Sequence, residues 1–213
     1  MLEAGARWDV RWQEAFYYKN DILQNPGANY HGASANIGVS RKVNNYLSFV
    51  MNGSYAWRPP SINELYSNGL HHGAAAIEVG DENLKKERSW NAIASGKYER
   101  KKFSLEAEAY YNFINDFIFL SPTPTPVLTI RGAFPAFEYK QCNAILSGVN
   151  YQIKQGVKSI TFKSKGSFLH AWNRTVNDYI VLMPSNQISA SVDYTFKDNK
   201  TFTKTKTEFN TKH

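Results

Sequence analysis

Apolar and polar residues alternate along several long segments of this chain. Residues 47–57, 103–113 and 187–197 each place an aromatic or aliphatic side chain at nearly every second position, and polar side chains predominate between them. A period of two residues is that of a β-strand, in which successive side chains point to opposite faces. A helix of the same sequence would mix the two sets on one surface, so the pattern predicts strands.

Weaker alternation extends the prediction to nine strands and no helix. The weaker segments are 6–19, 32–41, 88–99, 138–153, 159–172 and 201–210. Strands in soluble sheets cluster near five or six residues, whereas a tilted strand that crosses a bilayer needs about 9 to 11. The clearest segments here have the greater length, which favours membrane-crossing strands.

The connections between the predicted strands are alternately short and long. The short ones are the polar turns RKVNN, ERKK, KQGVK and KDNK, and the long ones fall at about residues 20–31, 58–87, 115–137 and 173–186. Short turns at one end and long loops at the other are typical of an outer-membrane β-barrel, which has an apolar outer face and a polar interior. Trp57, Tyr98 and Trp172 lie near strand ends, where interfacial aromatic residues are expected. A soluble all-β sandwich with long loops is the alternative.

Composition excludes several other classes. The single Cys142 cannot form an internal disulfide, and without a Cys/His cluster we expect neither a structural metal nor a resident cofactor. The net charge of +7 would suit a nucleic-acid partner, but the aromatic residues alternate along strands rather than converging on one basic face. No GxSxG or HExxH motif is present, and Glu106 and Glu108 are interpreted as a wet lumen wall, so we expect no enzyme.

The chain contains no run of 18 apolar residues, and its first residues lack the apolar core of a signal peptide. Both ends fall inside alternating segments. We therefore expect the chain to be one segment, residues 1–213, of a longer barrel that is incomplete at both ends.

Several motifs, in order, resemble one family. WRPPSINELY, a loop containing Gly and His, and then GDENLKKERSWN resemble the FRAPS-x-x-ELY … GNPxLKPERSxN signature of TonB-dependent outer-membrane receptors. EAEAYYNFINDFIFL, GAFPAFEYKQCNAILSGVNYQ and VLMPSNQISASVDY are similar to later segments of that family, so the resemblance covers about residues 46–197. The chain departs from the signature at Arg58-Pro59-Pro60 and at Asp81-Glu82-Asn83-Leu84.

The resemblance implies an all-β, antiparallel transmembrane β-barrel, of which this chain holds about nine strands out of 22, without the plug domain that fills such a barrel. It implies a receptor in the bacterial outer membrane that imports a metal chelate, expected to be a ferric siderophore. Its partners would be outer-membrane lipid and the TonB complex, which acts through an N-terminal region that this sequence lacks. A haem receptor of the same family and a passive porin or adhesin barrel are the alternatives.

Candidate functional residues fall in two sets. Basic, aromatic and imidazole side chains in the predicted outer loops are candidate ligand contacts, and imidazole also suits haem iron: Arg58, His71, His72, Arg131, Tyr139, Arg174 and Tyr179. Residues of the two signature boxes are expected to anchor the loop between them, with Glu64, Glu87 and Arg88 making polar contacts near the rim: Glu64, Leu65, Tyr66, Asn83, Leu84, Glu87 and Arg88.

Overall fold

The computed structural model describes residues 1–19, 21–195 and 202–210, and strands account for most of them. The predicted turn KDNK falls outside the described residues. In chain order the elements are β1 (Leu2–Glu14), β2 (Tyr17–Lys19), β3 (Ile22–Gln24), β4 (Gly27–Lys42), β5 (Leu47–Arg58), α1 (Ile62–Tyr66), β6 (Asn68–His71), β7 (Ala76–Val79), β8 (Glu87–Arg100), β9 (Phe103–Pro122), β10 (Val127–Thr129), β11 (Gly132–Phe134), β12 (Ala136–Val157), β13 (Ile160–Asn173), β14 (Asp178–Tyr179), β15 (Gln187–Thr195) and β16 (Phe202–Asn210).

Nine strands form one continuous antiparallel path in the order β1-β4-β5-β8-β9-β12-β13-β15-β16. Each strand therefore pairs with the next long strand along the chain, and the predicted nine strands are confirmed. The remaining short strands lie in the long connections. β6, β7 and β14 join the same sheet at the end that carries the long connections, which we call the loop end. β2–β3 and β10–β11 form two separate hairpins.

The strand register collects the alternating positions into two chemically different faces. Met51 pairs with Ala94, Ala94 with Ala109, Ala109 with Val149, and Val149 with Phe168. Neighbouring rows of the same surface hold further apolar residues, and we call it the apolar face. Met51 and Val149 remain 63% and 45% exposed, so nothing in the described chain covers this face. A large exposed apolar surface indicates contact with a partner or with lipid.

The opposite surface, the polar face, is joined by hydrogen bonds and ion pairs. The Asn150 amide donates to Glu108 at 3.3 Å, and Ser167 donates to the Asn150 oxygen at 2.8 Å. Lys97 pairs with Glu106 at 3.0 Å. Because Glu106 and Glu108 are held in this wall by side chains of neighbouring strands, the structure is consistent with the wet wall expected from the sequence.

Several expectations about the elements need correction. The strand expected at 6–19 ends at Glu14, and the loop expected at 20–31 contains β3 and the first residues of β4. The loop expected at 115–137 is largely strand, because β9 continues to Pro122 and β12 begins at Ala136. Beyond residue 114, the rest of the chain packs against both faces of β9, and both faces carry apolar side chains. The alternation of apolar and polar residues therefore disappears from this part of the sequence. The prediction that the chain has no helix was also wrong, since α1 is a short helix of five residues. Within the described ranges, no helix is long and apolar enough to cross a membrane.

Candidate functional site

The long loop, residues 59–86, connects β5 to β8 and begins with α1. Ser61 precedes this helix and caps it: its hydroxyl accepts a hydrogen bond from the Glu64 N–H at 3.3 Å, and the Glu64 carboxylate accepts from the Ser61 N–H at 2.6 Å. This reciprocal capping box satisfies two N–H groups that a helix end leaves unpaired. The Ser-x-x-Glu spacing therefore fixes where the chain turns as it leaves β5.

Arg58 lies between two carboxylates at the base of the long loop. Its guanidinium donates to Glu64 at 2.8 Å and to both oxygens of Glu87, at 2.8 and 2.9 Å. Glu87 also accepts from the Ile118 N–H at 2.7 Å. The loop thus leaves and rejoins the sheet at one shared ion-pair network, in which Glu64 and Glu87 are only 15% and 12% exposed.

The network changes the acidity of Glu64. Burial disfavours its charged form, but hydrogen bonds from Arg58 and from the Ser61 N–H outweigh burial and lower the pKa below its ordinary value of 4.5. The same carboxylates raise the pKa of Arg58 despite burial. Arg58 and Glu64 are therefore both charged at neutral pH.

The returning half of the long loop packs against β9 and β12. Leu84 and Leu65 form a buried cluster with Ile118, against which Tyr66 and Tyr139 also pack. The Gln141 side chain exchanges hydrogen bonds with the backbone of Lys85, at 2.9 and 2.7 Å. The loop is consequently attached to the sheet by an apolar cluster and by hydrogen bonds from the Gln141 side chain to the loop backbone.

Gly80 makes the closest backbone approach within the long loop. A Cβ atom at this position would lie 2.6 Å from the carbonyl carbon of Leu65 and 2.7 Å from the amide nitrogen of Tyr66. The Gly80 N–H donates to the Ser67 carbonyl at 2.7 Å. Only glycine fits between these groups without a backbone shift, so this residue permits the two halves of the loop to pack together.

A hairpin of β6 and β7 projects from the middle of the long loop and docks on β12. β7 pairs in parallel with the start of β12, over Ala136 to Glu138. His71 Nδ1 lies 3.0 Å from one oxygen of Glu78, and the Tyr139 hydroxyl donates to the other at 3.2 Å. The carboxylate oxygen is the acceptor in this contact, so Nδ1 is assigned as the donor, and Nε2 makes no hydrogen bond within the described ranges.

Tyr139 lies well above the part of β12 that a bilayer would enclose, since 18 residues separate it from the short turn at Val157. Burial, together with the nearby Glu78 carboxylate, raises the pKa of Tyr139 to about 12. The phenol is therefore neutral and acts as a hydrogen-bond donor at physiological pH.

The structure brings only part of the candidate ligand set together. His71 and Tyr139 meet through Glu78, whereas Arg58 is occupied by two carboxylates and is not free for an anionic ligand. His72 is exposed in the turn of the hairpin, and Arg131 is exposed in the connection between β10 and β11. These residues do not form one pocket.

Arg174 and Tyr179 lie in the connection after β13. The Arg174 guanidinium is stacked over the Phe113 ring at 5.5 Å, and Tyr179 meets Trp172 edge to face at 5.1 Å. Tyr179 also borders a cavity of about 630 Å³ whose other walls are apolar: Leu169, Ala171, Ile180, Val181, Leu182, Met183 and Pro184.

The expected anchor residues all lie at the base of the long loop. Glu64 and Glu87 contact Arg58, Arg88 pairs with Asp116 at 2.9 Å, and Tyr66 is stacked on Tyr17 with ring centroids 4.9 Å apart. Leu65 and Leu84 share the buried cluster, and the Asn83 N–H donates to the Asp81 side chain at 2.9 Å.

Glu78 and Gln141 were missed by the sequence interpretation. Gln141 was noticed only as part of a motif, and Glu78 was not singled out. Glu78 contacts Tyr139, which lies 61 residues away in the chain, and Gln141 contacts Lys85, which lies 56 residues away. No local pattern carries that information. In the described parts of the chain, no group of three His, Cys, Asp or Glu side chains could hold a metal ion.

Comparison with solved structures identifies the same fold elsewhere. The chain is similar to the copper transporter OprC, with a TM-score of 0.74, 16% identity, and coverage of 91% of this chain and 29% of that one. It is also similar to the hemophore receptor HasR of Serratia marcescens, solved with its hemophore HasA and heme, with a TM-score of 0.65, 13% identity, and coverage of 98% and 41%.

A curated relative is similar in sequence. It is a heme/hemopexin utilization protein C of Haemophilus influenzae strain 86-028NP, 24% identical over 189 residues, which cover 81% of this chain and 26% of the relative. The chain thus spans about a quarter of that protein. The model of the family described as "TonB dependent receptor-like, beta-barrel" matches residues 1–211.

Proposed function

Because the chain belongs to the TonB-dependent receptor-like β-barrel family, we propose that it forms part of the barrel wall of an outer-membrane receptor that takes up a metal chelate. The observation that carries this proposal is the two-faced sheet, with short turns at one end and the docked long loop at the other. The apolar face meets lipid and the polar face lines the lumen, as in barrels of this kind.

The loops at the far end from the short turns gather the cargo. A metal chelate with anionic groups suits the exposed Arg131 and Arg174, and the apolar cavity beside Tyr179 suits an aromatic or aliphatic part of it. A ferric siderophore has both kinds of group. In this proposal, transport itself needs a plug domain and the TonB complex, which is a separate partner of the receptor.

Haem is the second candidate cargo, and the geometry of His71 favours it. The Glu78 carboxylate orients the imidazole through Nδ1 and leaves Nε2 without a described partner, on a side chain that is 61% exposed. A carboxylate that fixes one ring nitrogen while the other faces outward is the usual arrangement around metal-ligating histidines. The name of the Haemophilus influenzae relative supports the same cargo.

The residues at the base of the long loop anchor it rather than bind the cargo. Arg58, Glu64 and Glu87 hold the two ends of the loop together, and Leu65, Leu84 and Gln141 attach it to β9 and β12. The cargo-facing hairpin is thereby kept in place over the end of the barrel. No catalytic step is part of this function.

Growth of a strain that lacks the parent gene tests the proposal. With haem or a ferric siderophore as the sole iron source, we expect the deletion to abolish growth on one of them and complementation to restore it. Growth that is unimpaired on every metal chelate offered would contradict the receptor function.

His71→Ala distinguishes the two cargoes, and His72→Ala is its matched control. If haem is the cargo, the first variant of the purified receptor loses haem affinity by roughly 10-fold or more and changes the Soret spectrum, while the second resembles the wild type. A ferric siderophore receptor would bind its ligand equally in both variants.

A further inference from the structure

The short turns of the sheet carry an unusual concentration of positive charge. The turns β4–β5, β8–β9 and β12–β13 hold six exposed cations, which we call the basic rim: Arg41, Lys42, Arg100, Lys101, Lys102 and Lys158. Glu99 is the carboxylate beside the β8–β9 turn, and it forms its ion pair with Lys97, at 3.2 Å, rather than with a cation of the rim. Across the described turns, the basic rim therefore has no carboxylate of its own in ion-pair contact.

At the loop end of the sheet, by contrast, two arginines at strand ends meet carboxylates. Arg58 contacts Glu64 and Glu87, and Arg88 contacts Asp116. The basic rim shows no such pairing along the described short turns, and an unpaired cluster of one charge sign indicates an anionic partner on that side.

Two lysines of the basic rim occupy backbone positions that disfavour them. Lys101 and Lys158 each follow the last residue of a strand in a two-residue connection, with φ of 52° and 51°. Gly, Asn or Asp adopts this left-handed conformation at lower cost. Lysine at the same position of two turns is not explained by turn formation, so its charge is the property that needs an explanation.

The cations of adjacent turns lie together and border aromatic residues. Lys102 Nζ donates to the Lys158 carbonyl at 3.2 Å, which joins the two turns. The Arg100 guanidinium lies 5.3 Å from the Tyr46 ring centroid, and the Tyr98 and Phe103 rings are 5.9 Å apart. Aromatic residues at strand ends mark the level of lipid headgroups in a barrel wall, so the basic rim lies at that level.

We propose that the basic rim binds the phosphates of anionic phospholipids in the leaflet that surrounds the short turns. This inference rests on the proposed function only in placing the barrel in a membrane. Lysine and arginine side chains at the headgroup level donate charge-assisted hydrogen bonds to phosphate, while the neighbouring aromatic rings meet the upper acyl chains. The contact fixes the depth of this end of the barrel wall in the bilayer.

The purified parent receptor in neutral detergent provides the test. It is titrated with phosphatidylglycerol or with phosphatidylethanolamine of the same acyl chains, and native mass spectrometry counts the bound lipids. The variant K101N/K158N removes two rim charges with a residue that tolerates the left-handed backbone. K154N/K165N removes two exposed charges on the polar face and is the matched control.

We expect the wild type to prefer phosphatidylglycerol, K101N/K158N to bind it roughly 10- to 30-fold more weakly, and K154N/K165N to keep the preference. Unchanged phosphatidylglycerol binding in K101N/K158N, or an equal loss in both variants, would overturn the proposal and leave the rim to an acidic protein partner. The assay contains no metal chelate, so its failure is separate from failure of cargo uptake.

Discussion

At the scale of single residues, Arg58 shows what the sequence alone can and cannot predict. Its position in an outer loop and its charge made it a candidate ligand contact, yet its guanidinium is held by Glu64 and Glu87. The three residues were all noticed in the sequence, but their mutual contact depends on how β5 pairs with β8, which places Arg58 opposite Glu87. Pairing across 29 residues is not encoded in any local pattern.

Glu87→Ala should loosen the base of the long loop. The change removes the two hydrogen bonds from Arg58 and leaves the Ile118 N–H without its acceptor, at a cost of about 1–3 kcal/mol. Amide hydrogen exchange in residues 59–86 of the parent receptor should accelerate roughly 10-fold or more. Glu138→Ala, which breaks only the exposed pair with Lys140, is the control, and equal exchange in both variants would refute the anchoring role.

Acidification should release the same network. Because the folded pKa of Glu64 lies below its ordinary value of 4.5, its pairing stabilises the loop fully above that value and is lost as the pH falls through the lower folded pKa. The protection of the loop amides, measured against the intrinsic exchange rate at each pH, should therefore fall below about pH 4.5. In Glu64→Gln the loop is weaker at neutral pH and this part of the pH dependence disappears; an identical profile in both proteins would be inconsistent with the assignment.

At the scale of elements, the nine long strands were predictable because one face of each is apolar and the other polar. The part of β9 beyond residue 114 was not, since Ile118 packs into the loop cluster while Phe117 and Phe119 pack on a second buried cluster. The helix α1 is too short to show a period. Its capping box, Ser61 with Glu64, is the one sequence signal that could have located it.

Gly80→Ala should separate the two halves of the long loop. The added methyl group would meet the backbone of Leu65 and Tyr66, which cannot move as a flexible side chain would. We expect faster proteolysis within residues 59–86 and weaker cargo binding. Gly73→Ala introduces a methyl group with no heavy atom within 4 Å and should behave as the wild type; similar proteolysis of the two variants would contradict this packing.

At the scale of the whole molecule, one proposition underlies the account: the apolar face meets hydrocarbon and the polar face does not. The sequence predicted this separation, and the register assembles it across neighbouring strands, as in the row Met51, Ala94, Ala109 and Val149. What the sequence could not provide is which cations near the long loop are paired, because Glu87 and Asp116, the partners of Arg58 and Arg88, lie far away in the chain.

The most direct test measures which side chains of β9 contact lipid. Single nitroxide labels are placed at each position from 104 to 111 of the parent receptor in lipid bilayers, with the buried Cys142 replaced by Ala. Electron paramagnetic resonance then compares collisions with oxygen, which dissolves in hydrocarbon, and with a water-soluble nickel chelate. We predict that oxygen collisions alternate with a period of two and are highest at Leu105, Ala107, Ala109 and Tyr111. Uniform accessibility along the strand, or higher oxygen contact at Glu106 and Glu108, would contradict the account.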